Sequence, residues 1–145
     1  QRLERRIRRA AAARGLNEAV TWSFIAEEEA APFGRDLQQS VWTLANPISE
    51  EMKVMRPSLL PGLMAAARRN LDRGISSVRL FELGRRYLAD GERPTAGILL
   101  AGDASHRDWQ SGKARPFSPF DAKAEVLGLL DAAGTPVGNL QVFPD

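Results

Sequence analysis

The sequence of 145 residues contains no cysteine and only one histidine, His106. The lack of cysteine excludes disulfide bonds and cysteine-ligated metal sites, and it is compatible with an intracellular location. A single histidine with no cysteine near it also argues against a zinc site. No apolar run approaches the length that is needed to cross a bilayer. The first six residues, which begin with Gln1, have neither an initiator methionine nor the pattern of a signal peptide.

An excess of charge of one sign is also absent, because the formal net charge is only +2. A global electrostatic argument for nucleic-acid binding therefore fails. Arginine is concentrated locally instead, with six arginines in the first fourteen residues and a second group between Arg68 and Arg86. Such runs are usually solvated helix faces, and phosphate contact is the less common alternative.

The length and composition are those of one ordinary globular domain with a real hydrophobic core. We interpret residues 1–145 as a single, partial domain of a longer chain. The sequence starts without methionine, and the pattern of a further strand begins at residues 142–145, where it stops.

The most informative stretch is residues 46–87, which predicts a turn, a helix and a strand. Ser58 is expected to cap the helix, Pro61 suits its first turn, and Gly74 suits its end. Residues 78–83 alternate as a short strand. We expect Phe81 and Leu83 of that strand to form a core with three leucines of the helix, Leu60, Leu63 and Leu71.

The rest of the chain predicts an α+β domain with a mainly antiparallel sheet flanked by helices. Asp90 and Gly91 supply hairpin turn chemistry. We expect three further helices, over residues 3–14, 26–31 and 121–133, and three further strands, over residues 18–25, 41–44 and 96–101, with a loop over residues 102–116. The strand over 18–25 places Val20, Trp22 and Phe24 on one face. Asp121 caps the last helix, whose inward residues are Val126, Leu127, Leu130 and Ala133.

Three motifs occur in order within residues 46–87: Asn-Pro-Ile-Ser from Asn46, Met-Arg-Pro-Ser-Leu-Leu-Pro-Gly-Leu from Met55, and Leu-Phe-Glu-Leu-Gly-Arg from Leu80. This order resembles the central part of class II aminoacyl-tRNA synthetase folds. Within them it is most similar to the β subunit of bacterial phenylalanyl-tRNA synthetase. The resemblance implies a truncated class II-like core.

Active class II members use an arginine after this strand to hold the α-phosphate and the amino-acid carboxylate. Aligning residues 84–87 on the Gly-x-x-aromatic pattern of the family places Leu88 at that arginine and Asp90 near the glutamate that follows. A leucine side chain cannot donate a hydrogen bond. The resemblance therefore implies a non-catalytic scaffold, unless a register shift of two or three residues brings Arg85 or Arg86 to the position.

The resemblance also implies a cytoplasmic, ATP-dependent phenylalanine–tRNA ligase as the whole enzyme, with ATP and Mg²⁺ as its cofactors. Its partners would be the catalytic α subunit, in an α2β2 assembly, and tRNA, with no membrane. No catalytic, cofactor or metal residue is assigned to this chain.

The helix over residues 3–14 is the expected interface element. Leu3, Ile7 and Ala11, together with Ala10, form a narrow apolar seam between arginines, which suits a helix packed against another helix. The alternative is that this seam covers the sheet of its own domain. Two other functions stay open for the chain: a basic RNA-binding module, and a fragment of an active class II synthetase.

Overall fold

The structure is a computed structural model that describes residues 2–33, 42–110, 112–136 and 138. Four helices and six strands follow one another along these residues, with short 3-10 turns at Ala31–Phe33 and Glu50–Met52. The helices are α1 (Arg2–Ala13), α2 (Glu27–Ala30), α3 (Leu60–Asp72) and α4 (Pro119–Ala133). The strands are β1 (Asn17–Glu18), β2 (Phe24–Ile25), β3 (Val54–Met55), β4 (Ser77–Leu88), β5 (Gly91–Ser105) and β6 (Arg115–Pro116).

The main sheet has the order β1-β4-β5-β6 and is antiparallel except for the short β1–β4 pair. The β4–β5 hairpin dominates it, with continuous pairing from Ser77 opposite Gly102 to Leu88 opposite Gly91. The α+β class and the mainly antiparallel sheet are therefore confirmed. Both strands are longer than predicted, because their polar ends continue the pairing although they bury little surface. In particular, β5 includes residues 102–105, which we expected in a loop.

Helices cover both faces of the hairpin. On one face Phe81, only 1% exposed, packs with Ala11 of α1, Leu16 and Leu129 of α4. On the other face α3 lies so close that a Cβ added at Gly97 would be 3.0 Å from Leu63. Adjacent strand residues point to opposite faces, so Phe81 turns away from α3.

The predicted core is therefore partly wrong. As expected, Phe81 is buried, and Leu83 packs against the core cluster to which Phe81 belongs. Leu63 is also buried, but on the opposite face of the sheet, and Leu60 and Leu71 are exposed. The periodicity of a helix gives its apolar side but not the face of the sheet that it covers.

The strand predicted over residues 18–25 is interrupted. Its beginning pairs with β4, and its end pairs with β3 in a separate two-stranded sheet. Between them Val20 and Trp22 are 91% and 70% exposed, so they do not share a buried face with Phe24. The interruption is caused by a residue that is distant in sequence, because the backbone N–H and the hydroxyl of Thr21 both donate to the Glu82 carboxylate.

Both long central helices begin beside a serine. The Ser58 hydroxyl accepts a hydrogen bond from the Leu60 N–H at 3.2 Å, but the N-cap of α3 is Leu59, so Ser58 lies one residue before its predicted position. In α4 the cap is Ser118, whereas Asp121 is the third helical residue and its carboxylate accepts the Ser118 N–H at 2.8 Å. The predicted start of α4 was therefore too late.

Smaller differences concern α4 and the strand over 41–44. Leu129, rather than Val126, is the buried residue of α4, and Gly134 follows this helix with φ +85°. Val41 and residues 142–145 lie outside the described part of the chain. Trp42 and Leu44 do make strand-like hydrogen bonds, to Met55 and Lys53 respectively. No helix in the described ranges is long and apolar enough to cross a membrane.

Candidate functional site

The end of the β4–β5 hairpin is where the resemblance places the phosphate-binding arginine. Leu88 occupies the last position of β4, opposite Gly91 across the turn at residues 89–90. Its side chain is half-buried and has no donor. Leu88 therefore does not fit the task of holding a phosphate.

The arginines near this turn are mostly engaged. The Arg85 guanidinium donates to the Glu92 carboxylate at 2.7 Å, and the Arg93 guanidinium donates to Asp90 at 2.5 Å. Arg86 is exposed on the strand, directly opposite Arg93. No group of three or more acidic or histidine side chains that could hold a metal ion occurs in the described ranges. Two of the three arginines at the turn, Arg85 and Arg93, are thus paired with carboxylates of the hairpin itself.

A buried ion pair involves Glu82, six residues before Leu88 on β4. The Arg56 guanidinium donates to the Glu82 carboxylate at 2.8 Å, and both side chains are almost completely buried. The same Arg56 nitrogen donates to the Thr21 hydroxyl at 2.8 Å, and the Thr21 hydroxyl donates to Glu82 at 2.7 Å. Arg56 Nε also donates to the Arg85 carbonyl oxygen at 3.0 Å. The network is fully hydrogen-bonded, as a buried charge pair requires.

Two glycines of the sequence motifs pack against this network. A Cβ at Gly62 would lie 2.3 Å from the Thr21 hydroxyl, and a Cβ at Gly84 would lie 2.5 Å from the Arg56 guanidinium. The residues that carry the family resemblance thus meet around one buried ion pair. In this structure they join the loop before α3 to β4.

Sequence reasoning missed this pair. Its signal was present, since Glu82 stands within the apolar strand pattern of residues 78–83 and Arg56 precedes the helix motif. A charge inside an apolar run indicates a buried partner. The sequence did not indicate which of the many arginines is that partner.

A groove of about 720 Å³ lies beside the network, between residues 20–26, α2 and α3. The exposed side chains of Val20 and Trp22 line this groove. Its lining also includes the apolar residues Met52, Pro61 and Ala65 and the charged residues Glu28, Glu29, Glu51 and Arg69. An exposed apolar surface with charged side chains around it is typical of a protein contact.

The three predicted interface residues of α1 differ in their accessibility. Ala11 is completely buried in the core that α1 forms with β4 and α4, and Ile7 packs partly buried against that core. Only Leu3, which is 50% exposed, keeps a large free apolar surface. Ala11 thus covers the sheet of its own domain, which was the alternative interpretation of the seam, and Leu3 is the seam residue that can reach a partner.

Two other polar clusters have structural roles. The His106 ring lies 3.4 Å from the Ser76 hydroxyl, at the end of β5. The Arg115 guanidinium donates two hydrogen bonds to the Asp121 carboxylate, at 2.8 and 2.9 Å, in a bidentate ion pair. Hydrogen bonds from Arg115 and then from Ser118 hold the pKa of the Asp121 carboxyl well below its usual range. Asp121 thus stays ionised and stabilises the start of α4.

Residues 1–143 match the family model described as the phenylalanyl tRNA synthetase beta chain CLM domain. The phenylalanine–tRNA ligase beta subunit of Novosphingobium aromaticivorans is 63% identical over 99% of this chain. The beta subunit of Zymomonas mobilis is 60% identical over 100% of it. The chain spans only 18% of the length of each of these relatives.

Solved structures show the same fold at much lower identity. The pyrrolysyl tRNA synthetase of Desulfitobacterium hafniense superposes with a TM-score of 0.64 and 20% identity, over 92% of this chain and 45% of the other. A second crystal structure of that synthetase gives a TM-score of 0.66 over 93% of this chain and 47% of the other. The fold is therefore that of the class II aminoacyl-tRNA synthetases, as the sequence motifs predicted.

Proposed function

Because the chain belongs to the family of phenylalanyl-tRNA synthetase beta chains, we propose that it is a non-catalytic scaffold domain of such a subunit. In this role it supports assembly with a catalytic α subunit within a cytoplasmic, ATP-dependent phenylalanine–tRNA ligase. ATP, Mg²⁺ and tRNA belong to the whole enzyme in this proposal, and the α2β2 stoichiometry is part of it.

The observation that carries the proposal is Leu88 at the hairpin end. Phosphate binding in adenylate formation needs a charged, preferably bidentate donor, and arginine supplies it. Leu88 offers none, and the neighbouring Arg85 and Arg93 pair with carboxylates on the hairpin. The class II fold is thus kept without the side chain that would make it an adenylating site.

Exposed apolar side chains support the assembly role. Leu3 on α1, together with Val20 and Trp22 at the groove, presents large apolar surface. Aromatic and aliphatic side chains of this kind are enriched at the centres of subunit interfaces, where burial removes them from water. The arginines around Leu3 suit the polar rim of such a contact.

We expect the 145-residue chain alone to have no phenylalanine-dependent ATP–pyrophosphate exchange activity. The measurement is exchange of labelled pyrophosphate by the purified chain, with circular dichroism to establish that it is folded. In the assembled enzyme, Leu88→Ala should leave exchange within about twofold of the unaltered rate, because removing a true transition-state donor costs about 10²–10³-fold. Exchange by the chain alone, or a loss of that size in Leu88→Ala, would contradict the proposal.

Replacing Leu3 with aspartate tests the interface role of α1. Leu3→Asp should spare the fold, since this side chain is half exposed, but it should weaken co-purification of the full-length beta chain with the α subunit. A buried leucine contributes about 1.5–3 kcal/mol, and an unpaired carboxylate in its place adds a desolvation cost. Ala12→Asp, which introduces the same charge at an exposed apolar position of the same helix, is the matched control. Normal assembly of Leu3→Asp would remove α1 from the interface.

A further inference from the structure

The connection between β5 and β6 presents a tryptophan that the proposed scaffold role does not use. Trp109 is 93% exposed, more than any other tryptophan or phenylalanine in the described ranges. The preceding residue, Asp108, makes two hydrogen bonds within this connection. The Asp108 carboxylate accepts the Gln110 N–H at 2.7 Å, and the Asp108 carbonyl accepts the Gly112 N–H at 3.0 Å. Trp109 is therefore exposed next to a residue, Asp108, that makes both of these hydrogen bonds.

The base of this connection is tied to the main sheet. Phe117 N–H donates to the Gly102 carbonyl at 3.0 Å, and Ser105 pairs with Arg115. The Arg79 guanidinium lies 4.9 Å from the centre of the Phe117 ring and donates to the Ala104 carbonyl. The tryptophan thus stands on a base fixed to the sheet, which lowers the entropic cost of binding a ligand there.

Positive charge lies in the same depression as the indole ring. Arg107 and Lys113 line the same shallow depression as Trp109, and neither has an ion-pair partner among the residues that the structure describes. The only carboxylate of the depression, Asp108, is engaged in the turn. Arg115 at its base is neutralised by Asp121. An exposed aromatic ring that shares a depression with two cations suits a base that stacks and phosphates that bind beside it.

We infer that Trp109 and its two cationic neighbours form a stacking site for an unpaired nucleotide of an RNA. This site, the Trp109 turn, consists of Arg107, Trp109 and Lys113, next to the hydrogen bonds that Asp108 makes. The proposal rests on the proposed function for the identity of the RNA, which would be the tRNA of the ligase. Trp109 stacks on one base, and Arg107 and Lys113 bind the phosphates beside it. The two cations of the depression suit the negative charge of an RNA backbone, and a protein partner is the alternative that the test below would reveal.

The test is equilibrium binding of a fluorescently labelled phenylalanine tRNA transcript, followed by anisotropy. It is run on the full-length beta chain assembled with the α subunit and on the full-length beta chain by itself. Trp109→Ala should raise the Kd about tenfold, since stacking on an aromatic side chain contributes about 1–3 kcal/mol per base. Phe120→Ala is the matched control, because it removes another aromatic ring, 81% exposed, outside the Trp109 turn; its Kd should be unchanged.

Salt dependence tests the two cations. Replacing both Arg107 and Lys113 with glutamine should reduce the slope of log K against log salt by about 1.4–1.8, at roughly 0.7–0.9 per phosphate contact. An unchanged Kd in Trp109→Ala would overturn the inference. A Trp109→Ala variant that binds tRNA normally but no longer assembles with the α subunit would overturn it as well. Failure of the unaltered chain to assemble would instead contradict the proposed function, and the tRNA titration of the beta chain by itself would still be decisive.

Discussion

Replacing Arg56 with methionine is expected to destabilise the domain by about 3–5 kcal/mol, because it leaves the Glu82 carboxylate buried without its cation. The exposed fractions of the two side chains are only 5% and 4%, so water cannot replace the lost partner. Thr21 also loses the donor to its hydroxyl. The measurement is the free energy of unfolding of the 145-residue chain from urea denaturation.

Two further variants make this result specific. Arg56→Met combined with Glu82→Leu should recover a large part of the stability, since an apolar pair of similar volume often replaces a buried ion pair at little cost. Arg85→Ala breaks the exposed pair with Glu92 and should cost only about 0–1 kcal/mol. A loss of less than about 1 kcal/mol in Arg56→Met, or a double variant no better than the single one, would contradict the structural role.

The Arg56–Glu82 pair has a consequence for the proposed function. Thr21 is held by this pair, and the residues on either side of it are the exposed Val20 and Trp22. The network therefore fixes the backbone from which the apolar groove surface projects. In the proposed scaffold, the motif residues stabilise the shape of a subunit contact and do not take part in chemistry.

Much of the fold could be predicted from the sequence, because its signals are local. Alternation predicted the centre of β4, helical spacing predicted α1 and α3, and Asp90-Gly91 predicted the hairpin turn. Positions decided by distant contacts could not be obtained in this way. The face of the sheet that α3 covers depends on the close approach of Leu63 to Gly97, and the break in the predicted strand at 18–25 depends on Glu82, about sixty residues further along the chain.

The candidate site shows the same division. The absence of an arginine at Leu88 follows from alignment to a family pattern and needs no coordinates. The apolar seam of α1 was identified correctly as a seam, but its spacing could not say that Ala11 belongs to the core of its own domain while Leu3 is free. The sequence around Trp109 predicted only a polar loop. It could not predict that the Trp109 side chain is exposed, because exposure is a property of the folded chain.

Phe81→Ala is expected to cost about 3–5 kcal/mol, as typically happens when a fully buried aromatic side chain is truncated. Phe81 is 1% exposed and joins α1 to α4 through Ala11 and Leu129, so the cavity would open where both helices meet the sheet. The melting temperature should fall by roughly 10–20 °C, a large part of the stability of a single domain. Circular dichroism melting measures it, and Phe120→Ala, which removes an exposed ring, is the control. Equal melting of the two variants would show that Phe81 does not organise the core.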